Sequence, residues 1–430
     1  MSGLPANLST DQAPPLSIPS SFFAMAPVAM IAAGILLLVL DAPLLARSMP
    51  ATIALTHLGT LGLLGCVMFG ALYQMIPVVA GAPVPAPRLA HLVQLGLLVG
   101  LALLEHGVIS GARWSLSGAV HILGPTFALF LGPVGWAIAR APTRSDAVRG
   151  MRLALLALFC LVALGILLAI VRFRGLSFLD PQSALGAHLV LGLLVWIGGL
   201  IASVSFEIIP MFYLTEAPPS WASRTILLAL FATLITCLGG LALGLPLGSM
   251  LWLGAPAALA IWLLHPILTL RAIRRRRRRR VDASVRYWIV GLALAPLTLA
   301  SGVAAAWLTD PRFPLLFGWL AIWGWAALII HGMLGRIVPF LVWFHRFSPF
   351  VGLERVPSMR ELLPDRRLHL ALGLHLLSLL LGIGAILSTL EPLRWATGVA
   401  LILTGLALGQ NLLHVLTRTH QQANPTRPAT

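Results

Sequence analysis

The stretch THLGTLGLLGCVMFGALYQMIP, residues 56–77, decides the fold. It is an almost unbroken apolar run, and about 20 such residues suffice to cross a bilayer as a helix. Its ending, Gln74 with Pro77 three residues on, returns twice. SVSFEIIPMF carries Glu207 before Pro210, and GMLGRIVPFL carries Arg336 before Pro339. The prolines are 133 and 129 residues apart. A small residue, Gly70, Ser203 or Gly332, sits seven before each. His57 and His188 open the first two of these helices at an interval of 131. One framed pattern at a near-constant spacing is a repeat signature. Each interval has room for four spanning helices, so the reading is an all-α polytopic membrane protein of about 12 transmembrane helices in three pseudo-repeated four-helix units.

Composition agrees. Of 430 residues, 59% are hydrophobic and 10% charged, and the mean hydropathy is +0.94. A soluble domain carries about a quarter charged residues, so a water-soluble enzyme is excluded, as is a disordered chain. Breaks at Pro, Gly and Arg place spans near 21–40, 51–79, 86–107, 114–139, 150–172 and 184–213. The rest lie near 224–245, 248–271, 286–308, 315–344, 367–389 and 394–417. The membrane domain, 21–417, is flanked by a polar N-terminal stretch, 1–20, and a polar tail, 418–430. The N-terminal stretch has no basic segment ahead of an apolar one, and so does not read as a cleaved signal peptide. Cys66, Cys160 and Cys237 lie in apolar runs without CxxC spacing, which gives no disulfide framework or zinc knuckle.

All 29 basic residues are Arg, a composition that fits a GC-rich bacterial genome. Six of them, Arg47, Arg113, Arg172, Arg174, Arg312 and Arg394, precede even-numbered spans, and 22 lie on the opposite side. The positive-inside rule then puts both termini and the basic loops in the cytoplasm of a multi-pass inner-membrane protein. The run Arg274, Arg275, Arg276, Arg277, Arg278, Arg279 and Arg280 reads as a topology anchor touching anionic lipid. It lacks a folded reading surface, so the bilayer is the expected partner and nucleic acid is not.

Histidine is the usual intramembrane ligand for iron and copper, because neutral imidazole tolerates apolar surroundings. His57 and His188 precede their repeat prolines by 20 and 22 residues, which puts them at nearly one depth. His121, Glu105 and His106 share that layer, and His331 lies deeper beside Gly332. His57, His188, His121, His331 and His106 are therefore the haem or metal ligand candidates. His91, His265, His345, His369, His375, His414 and His420 read as interfacial residues of the other half. Gly59, Gly62 and Gly65 suit either close helix contact or a flat macrocycle. Glu207 and Arg336 hold the same repeat position and, if the repeat helices meet, form a buried pair bridged by Gln74.

THLGTLGLLGCVMFGALYQMIP, AHLVLGLLVWIGGLIASVSFEIIPMF and HGMLGRIVPFLVWFHRF resemble the haem-copper oxidase subunit I-like membrane proteins of bacteria, including the NnrS-like family. The resemblance covers roughly helices 2 to 11. It implies haem b held by His57 and His188, with copper as a further candidate cofactor. It also implies electron transfer or the handling of nitric oxide or oxygen, with a cytochrome or other electron-transfer subunit as partner. The pattern departs from the oxidases in two places. The helix 10 position matching His57 is near Trp319, and residues 224–245 contain no His. A complete haem-copper binuclear centre is therefore not expected, and oxidoreductase activity stays open. The rival reading is a cofactor-free channel or transporter using Glu207 and Arg336.

The Arg asymmetry predicts that reporter fusions after Arg280 and within residues 174–182 report opposite sides of the membrane. Both reporting the same side would rule out the twelve-span arrangement.

Overall fold

Among the described residues, twelve helices are long and apolar enough to cross a membrane. They are α1 (Ser17–Val39), α2 (Pro50–Ala80), α3 (Pro87–Ser110), α4 (Arg113–Ala139), α5 (Asp146–Arg172) and α6 (Pro181–Tyr213). They continue with α7 (Ser220–Ala242), α8 (Ala255–Arg274), α9 (Ala283–Trp307), α10 (Arg312–Arg346), α11 (Asp365–Ser388) and α12 (Glu391–Leu416). The computed structural model describes residues 10–40, 44, 46–175, 180–277 and 282–419. Among them there is no β-strand, only an isolated bridge between Val351 and Glu354. Much of both expected polar ends, and Arg278 to Arg280 of the basic run, lie outside the described residues.

Every boundary falls within four residues of its expected place except the start of α8. There a separate short helix, Leu247–Leu253, precedes the span. Gly254 and Pro256 interrupt the run, since Pro has no N–H to continue a helical ladder. The other helix ends follow local chemistry. The side chains of Ser145, Asp180 and Asp282 accept backbone N–H bonds at the starts of α5, α6 and α9. The Ser183 N–H donates to Asp180 at 2.7 Å and, with the Ser183 hydroxyl, holds that exposed carboxyl below its usual range.

The repeat is visible in the backbone itself. In α2, α6 and α10 the α-helical ladder gives way to a π-helical stretch: Leu58–Gly65, Leu191–Gly198 and Leu320–Ala327. Each begins 19 residues before the repeat proline, Pro77, Pro210 or Pro339. A π-turn shifts the hydrogen-bond register by one residue, so a carbonyl is freed and the following side chains rotate. The fourth such stretch, Ala260–Leu264, lies in α8 and ends at His265.

These three repeat helices are the longest spans, at 31, 33 and 35 residues, and the most buried. They meet pairwise. Phe69 of α2 meets Trp196 of α6 edge-on at 6.0 Å. Phe212 of α6 meets Phe340 of α10 at 5.6 Å. At Gly59 of α2 a Cβ would stand 2.8 Å from Ile322 of α10, so only glycine permits this approach.

The chain closes on itself where α1 packs along α12. A Cβ on Gly34 would lie 2.5 Å from the Gly398 carbonyl, and one on Gly398 2.8 Å from that of Gly34. One turn away, Arg394 donates from Nη1 to the carbonyls of Leu37 at 2.5 Å and Leu40 at 2.8 Å, capping α1. The same device recurs. Arg152 bonds the carbonyls of Ile138 and Ala141 at the end of α4, Arg346 those of Leu416 and Arg418 at the end of α12, and Arg312 that of Leu387 in α11. A cation suits a helix C-terminus, where unpaired carbonyls and the negative end of the dipole coincide. Arg394 is 8% exposed, so Arg394→Gln is expected to lower stability by about 2 kcal/mol, as charged hydrogen bonds of this kind do. Arg149→Gln, at a surface pair, should change detergent unfolding by less than about 0.5 kcal/mol.

Candidate functional site

His57 is the last α-helical residue before the π-stretch of α2, and His188 precedes that of α6 by three residues. Their rings face each other with centroids 6.5 Å apart and planes inclined by 40°. His57 Nδ1 donates to the Ile53 carbonyl at 2.9 Å. His188 Nδ1 donates across to Leu161 of α5 at 3.2 Å. An imidazole that donates from Nδ1 carries its lone pair on Nε2, so both rings keep the same nitrogen for a ligand. The α5 backbone reaches the second ring because of Gly165, where a Cβ would stand 3.1 Å from His188 Cε1. The site is thus built from α2, α5 and α6.

His121 and His106 do not join this pair. His121 is exposed and bonded to the Ser117 carbonyl of its own helix at 2.7 Å. His106 is exposed too and packs on Trp114 at 5.2 Å, across the turn between α3 and α4. Their shared depth with His57 does not become a shared pocket, because they face outward from a different helix pair. Glu105, by contrast, is buried with neither carboxyl oxygen hydrogen-bonded. The glycines divide clearly: Gly59 lies against Ile322, and Gly62 against Ala29 and Leu101. They serve helix contact, and their faces are filled by side chains.

His331 belongs to a second centre. Its Nδ1 lies 3.1 Å from Nδ1 of His375 in α11, both residues being buried. His375 Nε2 donates to the Trp323 carbonyl at 3.0 Å, inside the π-stretch of α10. His375 Nδ1 must then accept, His331 Nδ1 must donate, and His331 Nε2 is left with a lone pair and no partner. The Trp323 indole stacks on His375 at 4.0 Å and donates to Ser378 Oγ. The interfacial reading of His375 and His265 is corrected: both are fully buried, at 0% and 1% exposure. His375 sits ten residues inside α11, a depth that the sequence displays between leucines; its partner on α10 is a matter of packing. His420 lies outside the described residues.

The expected pair of Glu207 with Arg336 does not form. Arg336 Nη1 binds Asp282 Oδ2 at 2.9 Å, with side chains 15% and 10% exposed. Asp282 also caps α9, so the start of that helix brings a carboxylate to the arginine before Glu207 can. Arg336 does reach α6, through the Phe212 ring at 5.3 Å. Gln74 bridges nothing: it is buried and its Oε1 has no partner. Tyr213 at the end of α6 donates to Ser284 Oγ at 3.0 Å, tying the same corner.

Among the described residues no three His, Cys, Asp or Glu side chains cluster as a metal site would require. Any metal at this site would rest on the two imidazoles with other donors. Comparison with protein-family models and with curated proteins finds no match for this chain.

The mostly buried Asp282–Arg336 pair gives a sharp expectation. Asp282→Asn and Arg336→Gln should each cost about 3 kcal/mol, because the partner charge stays behind unpaired. Glu207→Gln should be nearly silent. A double-mutant cycle on Asp282 and Arg336, read by thermal unfolding in detergent, should give a coupling of at least about 1 kcal/mol. Additive effects there would show that the two groups do not interact.

Proposed function

We propose that this chain is a membrane haem protein of the oxidase subunit I type, in which His57 and His188 would hold the haem. It would serve electron transfer or the handling of a diatomic gas, within a bacterial inner membrane and with its termini in the cytoplasm. The observation that carries the reading is the 6.5 Å separation of the two rings. Two imidazoles on one metal, each with a metal–nitrogen bond of about 2.0 Å, have centroids about 6 Å apart. The donor set therefore fits a bis-imidazole metal, and haem iron is commonly held by His.

The residues divide the work. Ile53 and Leu161 fix the tautomers by accepting from Nδ1, which leaves Nε2 free and sets each ring's orientation. Gly165 admits His188 against α5. The neighbouring apolar helices exclude water and lower the local dielectric, which raises the cost of a net charge and so tunes a redox potential. Bound haem held by both histidines would supply one-electron chemistry, and gas binding would need one of the two to leave the iron. The rival channel reading has less support, since Arg336 is engaged by Asp282 and does not meet Glu207.

Protein purified in mild detergent is expected to show a Soret band and a b-type pyridine haemochrome. His57→Ala and His188→Ala should each abolish or shift the spectrum while folding persists. His331→Ala should leave it unchanged, because His331 belongs to the separate centre with His375. A colourless folded wild-type protein, or a spectrum indifferent to both substitutions, would sink the reading.

A further inference from the structure

Among the described residues, Glu105 of α3 is the one carboxyl that is buried with both oxygens unbonded. Its depth follows from the packing around it. A Cβ on Gly62 of α2 would lie 3.0 Å from Leu101 Cδ2 of α3 and 3.1 Å from the Ala29 Cβ of α1. Glu105 is one helical turn beyond Leu101, so the two share a face of α3. Because α2 and α3 run in opposite directions, one turn on from Leu101 is one turn back from Gly62, the level of His57 and Leu58. Glu105 thus faces α1 and α2 at the depth of the His57–His188 pair, across the width of α2.

No charged partner meets it there. Between Ser17 and Val39, α1 carries no titratable residue. On α2 the group at this level is His57, and Cys66 and Tyr73 lie deeper. On α4, Arg113 and His121 are exposed, and His106 of α3 itself is exposed and packs on Trp114. Arg47, ahead of α2, is exposed too, and neither it nor Arg113 pairs with an acid among the described residues. A lone carboxylate is costly at membrane depth, so these surroundings favour the neutral acid. A fixed positive charge nearby reverses that preference. Oxidised haem b supplies one net positive charge, and reduced haem b supplies none.

We infer that Glu105 is the proton acceptor coupled to reduction of the haem held by His57 and His188. This rests on the haem reading. Glu105 is ionised beside the oxidised group, and takes up one proton when the electron arrives from the reductant. The proton comes from water at the near end of α3, five residues from Glu105. The carboxylate cancels the oxidised charge and the neutral acid accompanies the reduced group, so the apolar interior holds no net charge in either state. About one helix width, roughly 10 Å, separates the two. At that range and an effective dielectric constant near 20, a unit charge shifts the ionisation equilibrium about tenfold.

The test is a spectroelectrochemical titration of the haem-loaded wild-type protein in mild detergent across the physiological pH range. The midpoint potential should fall as pH rises, and Glu105 should contribute about 59 mV of that fall, the one-electron equivalent of tenfold. Glu105→Gln keeps the side-chain size without the titrating proton. It should remove this share and leave any slope due to haem propionates or exposed histidines. The reduced-minus-oxidised infrared difference spectrum should show the carbonyl band of a protonated acid in wild type and lack it in Glu105→Gln. Parallel potential curves for the two coloured proteins overturn the inference and leave the haem reading standing. A wild-type potential flat with pH does the same, and decides alone if the variant does not fold. A folded wild-type protein without a Soret band overturns both.

Discussion

Inside a bilayer every backbone N–H and C=O must find its partner within the protein, because no water is there to take it. Most of this chain meets that demand by simple α-helix. The informative places are those where the ladder is broken and another group steps in. Inside the π-stretch of α10 the Trp323 carbonyl accepts from His375. The last turn of α1 leaves carbonyls at Leu37 and Leu40, and Arg394 satisfies them from the far end of the sequence. His188 finds its acceptor at Leu161 on a neighbouring helix. Each backbone repair orients a side chain, and the orientation fixes which nitrogen remains for chemistry.

The threefold repeat supplies the frame, and departures from it supply the sites. Strictly equivalent residues on helices around one axis make the same angle with it. His57 stands one residue before its π-stretch and His188 three before. Two residues are about 200° of helical rotation, enough to turn the second ring back toward the first. The positions strictly equivalent to His57 are Val190 and Trp319. The third repeat therefore lacks the ligand and uses a deeper histidine with a different partner.

Charge is handled in the same spirit. Gln74, Glu207 and Arg336 hold one repeat position but have diverged in role. Only Arg336 is anchored by an ion pair, and its carboxylate comes from the N-cap of α9 outside the repeat pattern. One carboxylate there both begins a helix and neutralises a mostly buried guanidinium. The four interhelical Arg caps show a further use of arginine beyond topology: a planar fork with several donors can close two carbonyls at once, which a point charge does less well.

The sequence by itself determined the all-α membrane class, the twelve spans and the three repeats, since these follow from apolar run length and from proline spacing along one dimension. It also brought out His57 and His188, because equal distance to a repeat proline means equal depth on parallel helices. It did not determine azimuth. Whether a residue at a given depth faces the axis, a neighbour or lipid depends on the rotation of each helix, and a single π-turn changes that rotation without changing the hydropathy. For that reason His121 and His106 fell away from the site, His375 and His265 moved inward, and Arg336 took Asp282 in place of Glu207. Only the tertiary structure, by packing Gly59 on Ile322 and Gly165 on His188, decided which polar groups meet.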